Sequence, residues 1–179
     1  GLAELARLGV VCAHEANATP AYWNAYLSYA KSGAPGPRVR AALALPADFA
    51  SVDPLPALEA ARASAHGDRV RAGAVKLYLD GVIEARTAAL LEPYEGGDER
   101  GAPRLPPEIL DPLLARLDAA GFQVHMHAIG DRAALIGLDA VERARAAGPA
   151  RGTRHTIAHL ELVAADDLAR FARLGVAPN

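Results

Sequence analysis

Lysine is almost missing from this sequence. Of its 19 basic residues only Lys31 and Lys76 are lysines, and the other 17 are arginines. Cysteine is scarcer still: Cys12 stands alone, which excludes an internal disulfide framework and fits a reducing, cytoplasmic setting. No apolar run approaches the roughly 18 residues of a membrane span, and no basic-then-apolar leader opens the chain. The 19 basic residues against 21 acidic ones leave a net charge of −2, with no electrostatic footprint for nucleic acid or an anionic membrane. Aromatic residues make up 5%, and the apolar 51% rests on 42 alanines, so large core side chains are fewer than that fraction suggests. Phosphate-binding glycine fingerprints, a Walker sequence and a G-x-S-x-G elbow are all missing, which argues against nucleotide binding and serine hydrolysis. No internal repeat occurs. What is there is one domain's worth of chain, 179 residues, long enough to bury a core.

Short apolar runs alternate with amphipathic stretches. Val10–Ala13, Arg38–Leu45, Ala74–Leu79, Phe122–Ala128, Thr153–Leu160 and a start at Gly175–Ala177 read as strands. Their lack of polar alternation suits a parallel sheet buried on both faces. Between them, Leu110, Leu113, Leu114 and Leu117 fall on one helical face, entered at Pro106-Pro107 and left at Gly121. Asp131 stands where an N-cap belongs, ahead of Ala134, Leu135, Leu138 and Val141. A further helix begins at Ala165-Asp166-Asp167 and runs through Leu168, Phe171 and Leu174; Ala21–Ala30 and Pro56–His66 are less regular helices. The order predicts an α/β fold of parallel βα repeats. Either a doubly wound sheet or about six strands of a (β/α)8 barrel accommodates it. The irregular stretch Glu92–Pro107 reads as a lid over a site or as a surface insertion.

Four of six histidines lie in two strand-like segments. His125 and His127 are two apart, His155 and His159 four apart, so each pair shares a strand face. Two strands each turning imidazoles inward point to a ligand, most often a metal; the alternative is histidines bonded to backbone or facing solvent. Lys76 sits inside an apolar strand, in a chain that otherwise uses arginine. An amine can shift its pKa, form a Schiff base or take up CO2, none of which a guanidinium does readily; an ion pair with Asp80 is the competing explanation. Asp80-Gly81 makes a turn, and His14-Glu15 follow the first strand as loop or pocket residues. His66 and Cys12 receive no role.

VKLYLDGVIEARTAALLEPY, GFQVHMHAIGDRA, RHTIAHLELV and DLARFARLGVAPN resemble consecutive blocks of the amidohydrolase superfamily. Within it they are similar to the YtcJ-like metal-dependent hydrolases of the amidohydrolase-3 group, which includes N-substituted formamide deformylases. LARLGVVCAHEA resembles the segment that precedes these blocks, so the resemblance covers nearly the whole chain.

The resemblance implies a (β/α)8 barrel with metal at the strands' C-terminal ends. By motif position Lys76 matches the fourth-strand lysine, carboxylated and metal-bridging in many members. His127 of HAIGD matches the fifth-strand ligand and His159 of AHLE the sixth-strand ligand, leaving His125 a neighbour. The expected cofactor is therefore a divalent metal, zinc by preference for N and O ligands, held by Lys76, His127 and His159. The first-strand His-x-His, the eighth-strand aspartate that shuttles the proton and the family's small β-sandwich have no counterpart in residues 1–179. The chain thus reads as a fragment, strands two to seven of a partial TIM-type barrel, with both ends cut and a metal that the fragment need not retain. Many relatives also carry Glu where Ala158 stands.

The function implied is hydrolysis of a C–N bond in a small amide, formamide or related substrate by metal-activated water. The fragment alone is expected to be inactive, and its unpaired sheet edges to favour a homo-oligomer. Three alternatives remain: a non-catalytic self-associating α/β module, a barrel hydrolase of another bond such as a phosphotriesterase or deaminase, and a Schiff-base lyase using Lys76.

Overall fold

The computed structural model describes residues 1–46, 49, 52–65, 67–148 and 152–179. The elements run α1 (Leu2–Arg7), β1 (Cys12–Ala18), α2 (Pro20–Ser32), β2 (Arg38–Ala44), α3 (Leu55–Ala63) and β3 (Val70–Tyr78). They continue with α4 (Pro107–Ala119), β4 (Gln123–Ala128), α5 (Asp131–Ala147), β5 (Thr156–His159), α6 (Ala165–Leu174) and β6 (Ala177–Pro178). Strand order follows chain order, β1-β2-β3-β4-β5-β6, and the registered pairs are parallel. A doubly wound sheet reverses its order at a switch point, whereas barrel strands are laid down sequentially. The fold is therefore a partial α/β barrel. Among the described residues no helix is long and apolar enough to cross a membrane.

The chain divides into two compact units, Gly1–Lys76 and Leu77–Asn179. In the first, β1 to β3 bury Val39, Ala41, Ala42, Val70 and Val75, and Trp23 of α2 is 4% exposed. Thr19 caps α2 by accepting from the Tyr22 N–H, Pro20 fits its first turn, and Gly33 closes it in the left-handed conformation. His14 and Glu15 lie within β1, which starts two residues later than its apolar run and extends to Ala18. Glu15 accepts from the Tyr26 hydroxyl at 2.7 Å, so it braces α2 and does not stand free in a loop. The helix expected over Pro56–His66 spans Leu55–Ala63, and His66 falls outside the described residues.

In the second unit the α4 stripe is as the spacing predicts: Leu110, Leu113, Leu114 and Leu117 are all buried. Leu168 of α6 is instead 62% exposed, and the buried face of that helix uses Asp167, Phe171 and Leu174. Asp167 is tolerated there because Arg170 bonds it at 2.9 Å while also holding Asp139 and Glu142 of α5, both at 2.6 Å. Burial works against that cation, but the three carboxylates outweigh it and hold its pKa above the usual arginine value.

His155 lies just ahead of β5. It is fully buried, its Nδ1 accepts from the Val124 N–H at 3.0 Å, and its Nε2 lies 3.2 Å from Asp118 Oδ1. This histidine ties β4 to the segment entering β5, and its role is structural. Burial lowers its pKa, against the raising effect of Asp118. A depressed histidine pKa means the unfolded chain takes up the proton more readily. Its contribution to stability is therefore complete above about pH 6.5 and is lost as the pH falls through the lowered value. His155→Asn keeps an acceptor for the Val124 N–H but cannot titrate, so its urea midpoint is expected to fall less between pH 7 and pH 5 than that of the parent chain. Equal slopes would contradict this.

Candidate metal centre

The C-terminal ends of β4 and β5 bring two imidazoles together. β4 is buried along Val124–Ala128, and His127 near its end is 8% exposed. Its ring centroid lies 4.5 Å from that of His159, the two planes inclined by 61°. Parallel pairing sets His127 against Ala158 and Ala128 against His159, so His159 stands one residue further along the sheet than His127. On its other side the His127 ring lies 5.3 Å from the Tyr78 ring. His125 is buried one pleat earlier and is not part of this pair.

His127 is held in a defined orientation. Its Nε2 lies 2.8 Å from the Gly81 carbonyl and 3.5 Å from Asp80 Oδ1. A carbonyl can only accept, so Nε2 carries the hydrogen and Nδ1 keeps the lone pair available to a ligand. His159, at the end of β5, adopts φ +84°, and Leu160 follows at +49°. Left-handed backbone in two successive non-glycine residues costs on the order of 1 kcal/mol or more each. Bonds from His159 N to Asn179 O at 2.8 Å and from Leu160 N to Ala128 O at 2.9 Å hold that bend.

Asp80, which the sequence suggested was a turn residue, is fully buried. Its Oδ2 accepts from the N–H groups of Ala89 at 3.0 Å and Gly130 at 2.8 Å, and its Oδ1 from Ile129 at 3.0 Å. Asp131 is not the N-cap of α5. Gly130 holds that position, and Asp131 Oδ1 accepts from Leu91 N at 2.9 Å. Just ahead of α5, Asp80 takes the N–H groups of Ile129 and the N-cap Gly130, while within the first turn Arg132 N bonds Asp131 Oδ1 and Ala133 N bonds Ala89 O. A Cβ on Gly130 would lie 2.0 Å from the Ala89 carbonyl oxygen, so only glycine admits this approach.

The connection after β3 is accordingly no loose flap. Ala88, Leu90 and Tyr94 pack with Ile129, the Tyr94 hydroxyl bonds the Ala88 carbonyl at 2.9 Å, and Arg104 N bonds Leu79 O at 2.7 Å. Within Glu92–Pro107, read as a lid or a surface insertion, Tyr94 and Leu105 are buried while residues 95–100 are exposed. Asp80 and this packing were missed from sequence. The available signal was an acid closing one apolar strand and an Ile-Gly-Asp closing another.

Lys76 lies on β3 in the first unit and is 4% exposed. Burial lowers its pKa to about 8, so the neutral amine is accessible near physiological pH. His14 in the same unit also titrates low, chiefly from burial. Among the described residues, no three His, Cys, Asp or Glu side chains gather as metal ligands. The imidazole pair fits a divalent cation as two nitrogen donors, and among the described residues no third side chain of these kinds joins it.

The amidohydrolase family model matches residues 1–179. The chain belongs to the amidohydrolase family. Protein LONG AFTER FAR-RED 3 of Arabidopsis thaliana is 33% identical over 105 residues, covering 58% of this chain and 18% of that protein. YtcJ of Bacillus subtilis (strain 168) is 31% identical over 112 residues, or 62% of this chain and 21% of YtcJ. The chain thus spans about a fifth of the length of these curated relatives. Among solved structures, a metal-dependent hydrolase from Pyrococcus furiosus is similar with a TM-score of 0.80 and 29% identity, over 98% of this chain and 35% of the other. A Pyrococcus horikoshii OT3 metal-dependent hydrolase aligns over the same 98%, and over 34% of its own chain, with a TM-score of 0.78 and 26% identity. The amidohydrolase blocks therefore run the length of the chain, and the resemblance of its motifs extends to its fold.

Proposed function

We propose that this amidohydrolase chain supplies Lys76, His127 and His159 to the metal centre of a hydrolase that cleaves C–N bonds in small amide-like substrates. The observation that carries the proposal is the histidine pair: two imidazoles 4.5 Å apart at adjacent strand ends, one held by its Nε2 hydrogen and the other on strained backbone. Such strain persists where surrounding structure enforces it, and it concentrates at functional sites. Lys76 joins the set by its motif position, supported by its lowered pKa.

Each residue has a defined task. His127 offers Nδ1, because Gly81 and Asp80 face its Nε2–H. His159 offers its imidazole from the end of β5. The neutral amine of Lys76 attacks CO2, forming an N–C bond as a C=O π bond opens and releasing a proton, which leaves a carbamate whose single negative charge is shared by two oxygens. When bound, a divalent cation such as zinc lowers the pKa of water towards 7 and polarises a substrate carbonyl. The proton-shuttling aspartate of the family matches no residue in 1–179, so the 179-residue chain alone turns over amides negligibly. Cytoplasmic residence, which the single exposed Cys12 fits, belongs to the same reading, as does self-association through β1 and β6, the first and last strands of the sheet.

The test is an amide and formamide hydrolysis assay on the zinc-loaded 179-residue chain, with light scattering on the same sample. The expected result is no turnover above zinc alone and a dimer or larger species. Turnover at about 1 s⁻¹ or above, the order of an ordinary enzyme, contradicts the missing-shuttle reading, and a monodisperse monomer contradicts self-association.

A further inference from the structure

One buried polar side chain of the second unit is given no task by the proposed chemistry. Asp80 is fully buried, and its carboxylate takes three backbone N–H groups from two separate segments, Ala89 on the connection after β3 and Ile129 and Gly130 on the turn after β4. Three such bonds exceed what closing a turn requires. They fix the end of β3 against the two residues that follow His127-Ala128.

The next residue completes the arrangement. Gly81 N donates to Thr87 O at 3.0 Å, and Val82 N donates to Thr87 Oγ1 at 3.0 Å. A Cβ on Gly81 would lie 2.1 Å from Thr87 Oγ1, so glycine is needed for the turn to close. Closed in this way, the turn presents the Gly81 carbonyl to His127 Nε2 at 2.8 Å, with Asp80 Oδ1 behind it at 3.5 Å.

We infer that Asp80 is a positioning residue: by tying the turn after β4 to the end of β3, it sets the Gly81 carbonyl against His127 Nε2 and fixes that ring as its Nε2–H tautomer. An imidazole free of such partners interchanges its two neutral forms. Here a carbonyl and a carboxylate both face Nε2, and each favours a hydrogen there. The side-chain amide introduced by Asp80→Asn would not substitute. Whichever way it turned, its NH2 would confront at least one of the three N–H donors, and the turn would shift away from His127.

The importance of this tautomer rests on the reading of His127 as a ligand through Nδ1; the tautomer itself does not, and it is measured on the metal-free chain. Long-range ¹⁵N–¹H correlation spectra of the imidazoles distinguish the two ring nitrogens. His127 is expected as a single Nε2–H form in the parent chain and in Asp131→Asn, which removes a charge from the neighbouring turn without touching Asp80. In Asp80→Asn a second, Nδ1–H form is expected to appear beside the Nε2–H form, as in an unconstrained neutral ring. A folded Asp80→Asn chain that keeps the single Nε2–H form overturns the proposal, since a merely structural Asp80 would lower stability and leave the tautomer alone. If Asp80→Asn does not fold, the parent chain decides. A single Nε2–H form together with amide exchange at Ala89, Ile129 and Gly130 as slow as in β4 supports the proposal, and failure of either overturns it. Failure to bind zinc with the tautomer as stated would count against the metal centre, not against Asp80.

Discussion

Asp80→Ala is expected to lower the stability of the chain by about 4 kcal/mol, the largest effect of any single substitution considered. The carboxylate accepts three N–H bonds at 2.8 to 3.0 Å in a fully buried position. Removing it leaves three buried donors without their acceptor, at about 1–3 kcal/mol each, offset in part by water entering the space. For a chain of this size the expected loss corresponds to a fall in Tm of roughly 8–16 °C. Asp131→Ala serves as the comparison. Its Oδ1 accepts from Leu91 N and Arg132 N, and the second of these bonds is exposed; about 1 kcal/mol is expected. Urea denaturation of the two variants measures the difference, and equal losses would contradict the special place given to Asp80.

Lys76→Met is expected to act in the opposite direction, raising stability near pH 7 by about 2–3 kcal/mol in the carbamate-free chain. Burial lowers the pKa of Lys76 from 10.5 to about 8. The unfolded chain therefore binds the proton more tightly than the folded one, and below pH 8 the full difference opposes folding. As the pH rises from 8 to 10.5 the difference is recovered, so stability gains with pH across that window. A methionine of similar reach fills the space without the charge and should abolish the gain. The same shift bears on carboxylation, which needs the neutral amine. At pH 7 a lysine of pKa about 8 is about one-tenth neutral, against a few parts in ten thousand at about 10.4. Urea midpoints at pH 7, 8, 9 and 10 under CO2-free conditions test the claim, and a parent chain whose stability is flat over that range would contradict it.

Much of the fold could be read in the sequence because parallel strands and amphipathic helices leave simple periodic traces. The α4 leucines fell where a 3.6-residue repeat places them, and the six apolar runs each marked a strand. Errors came where tertiary contacts decided the outcome. β3 begins at Val70, four residues before the apolar run suggested, because Val39 N bonds Arg69 O and registry with β2 extends the ladder through Arg71. Leu168 lies on the helix as its pattern predicts, but α6 presents it to solvent and buries Asp167, whose charge Arg170 offsets. Within the site, His127 and His159 were legible as motif residues, and their ring centroids lie 4.5 Å apart. His155, the residue before β5, is instead engaged by Val124 N and Asp118, contacts that its sequence spacing does not announce. Asp80 was invisible for a related reason. Its partners, Ala89, Ile129 and Gly130, contribute only backbone N–H groups, which leave no side-chain signature in a sequence.

The central claim is that His127 and His159 are ligands of one metal ion, and zinc titration of the 179-residue chain against a competing chelator tests it most directly. The account predicts one zinc bound per chain in the presence of bicarbonate, with affinity reduced about 100-fold or more in His127→Ala and again in His159→Ala. His125→Ala, which removes the neighbouring imidazole, should retain binding. Zinc binding that survives both His127→Ala and His159→Ala would contradict it.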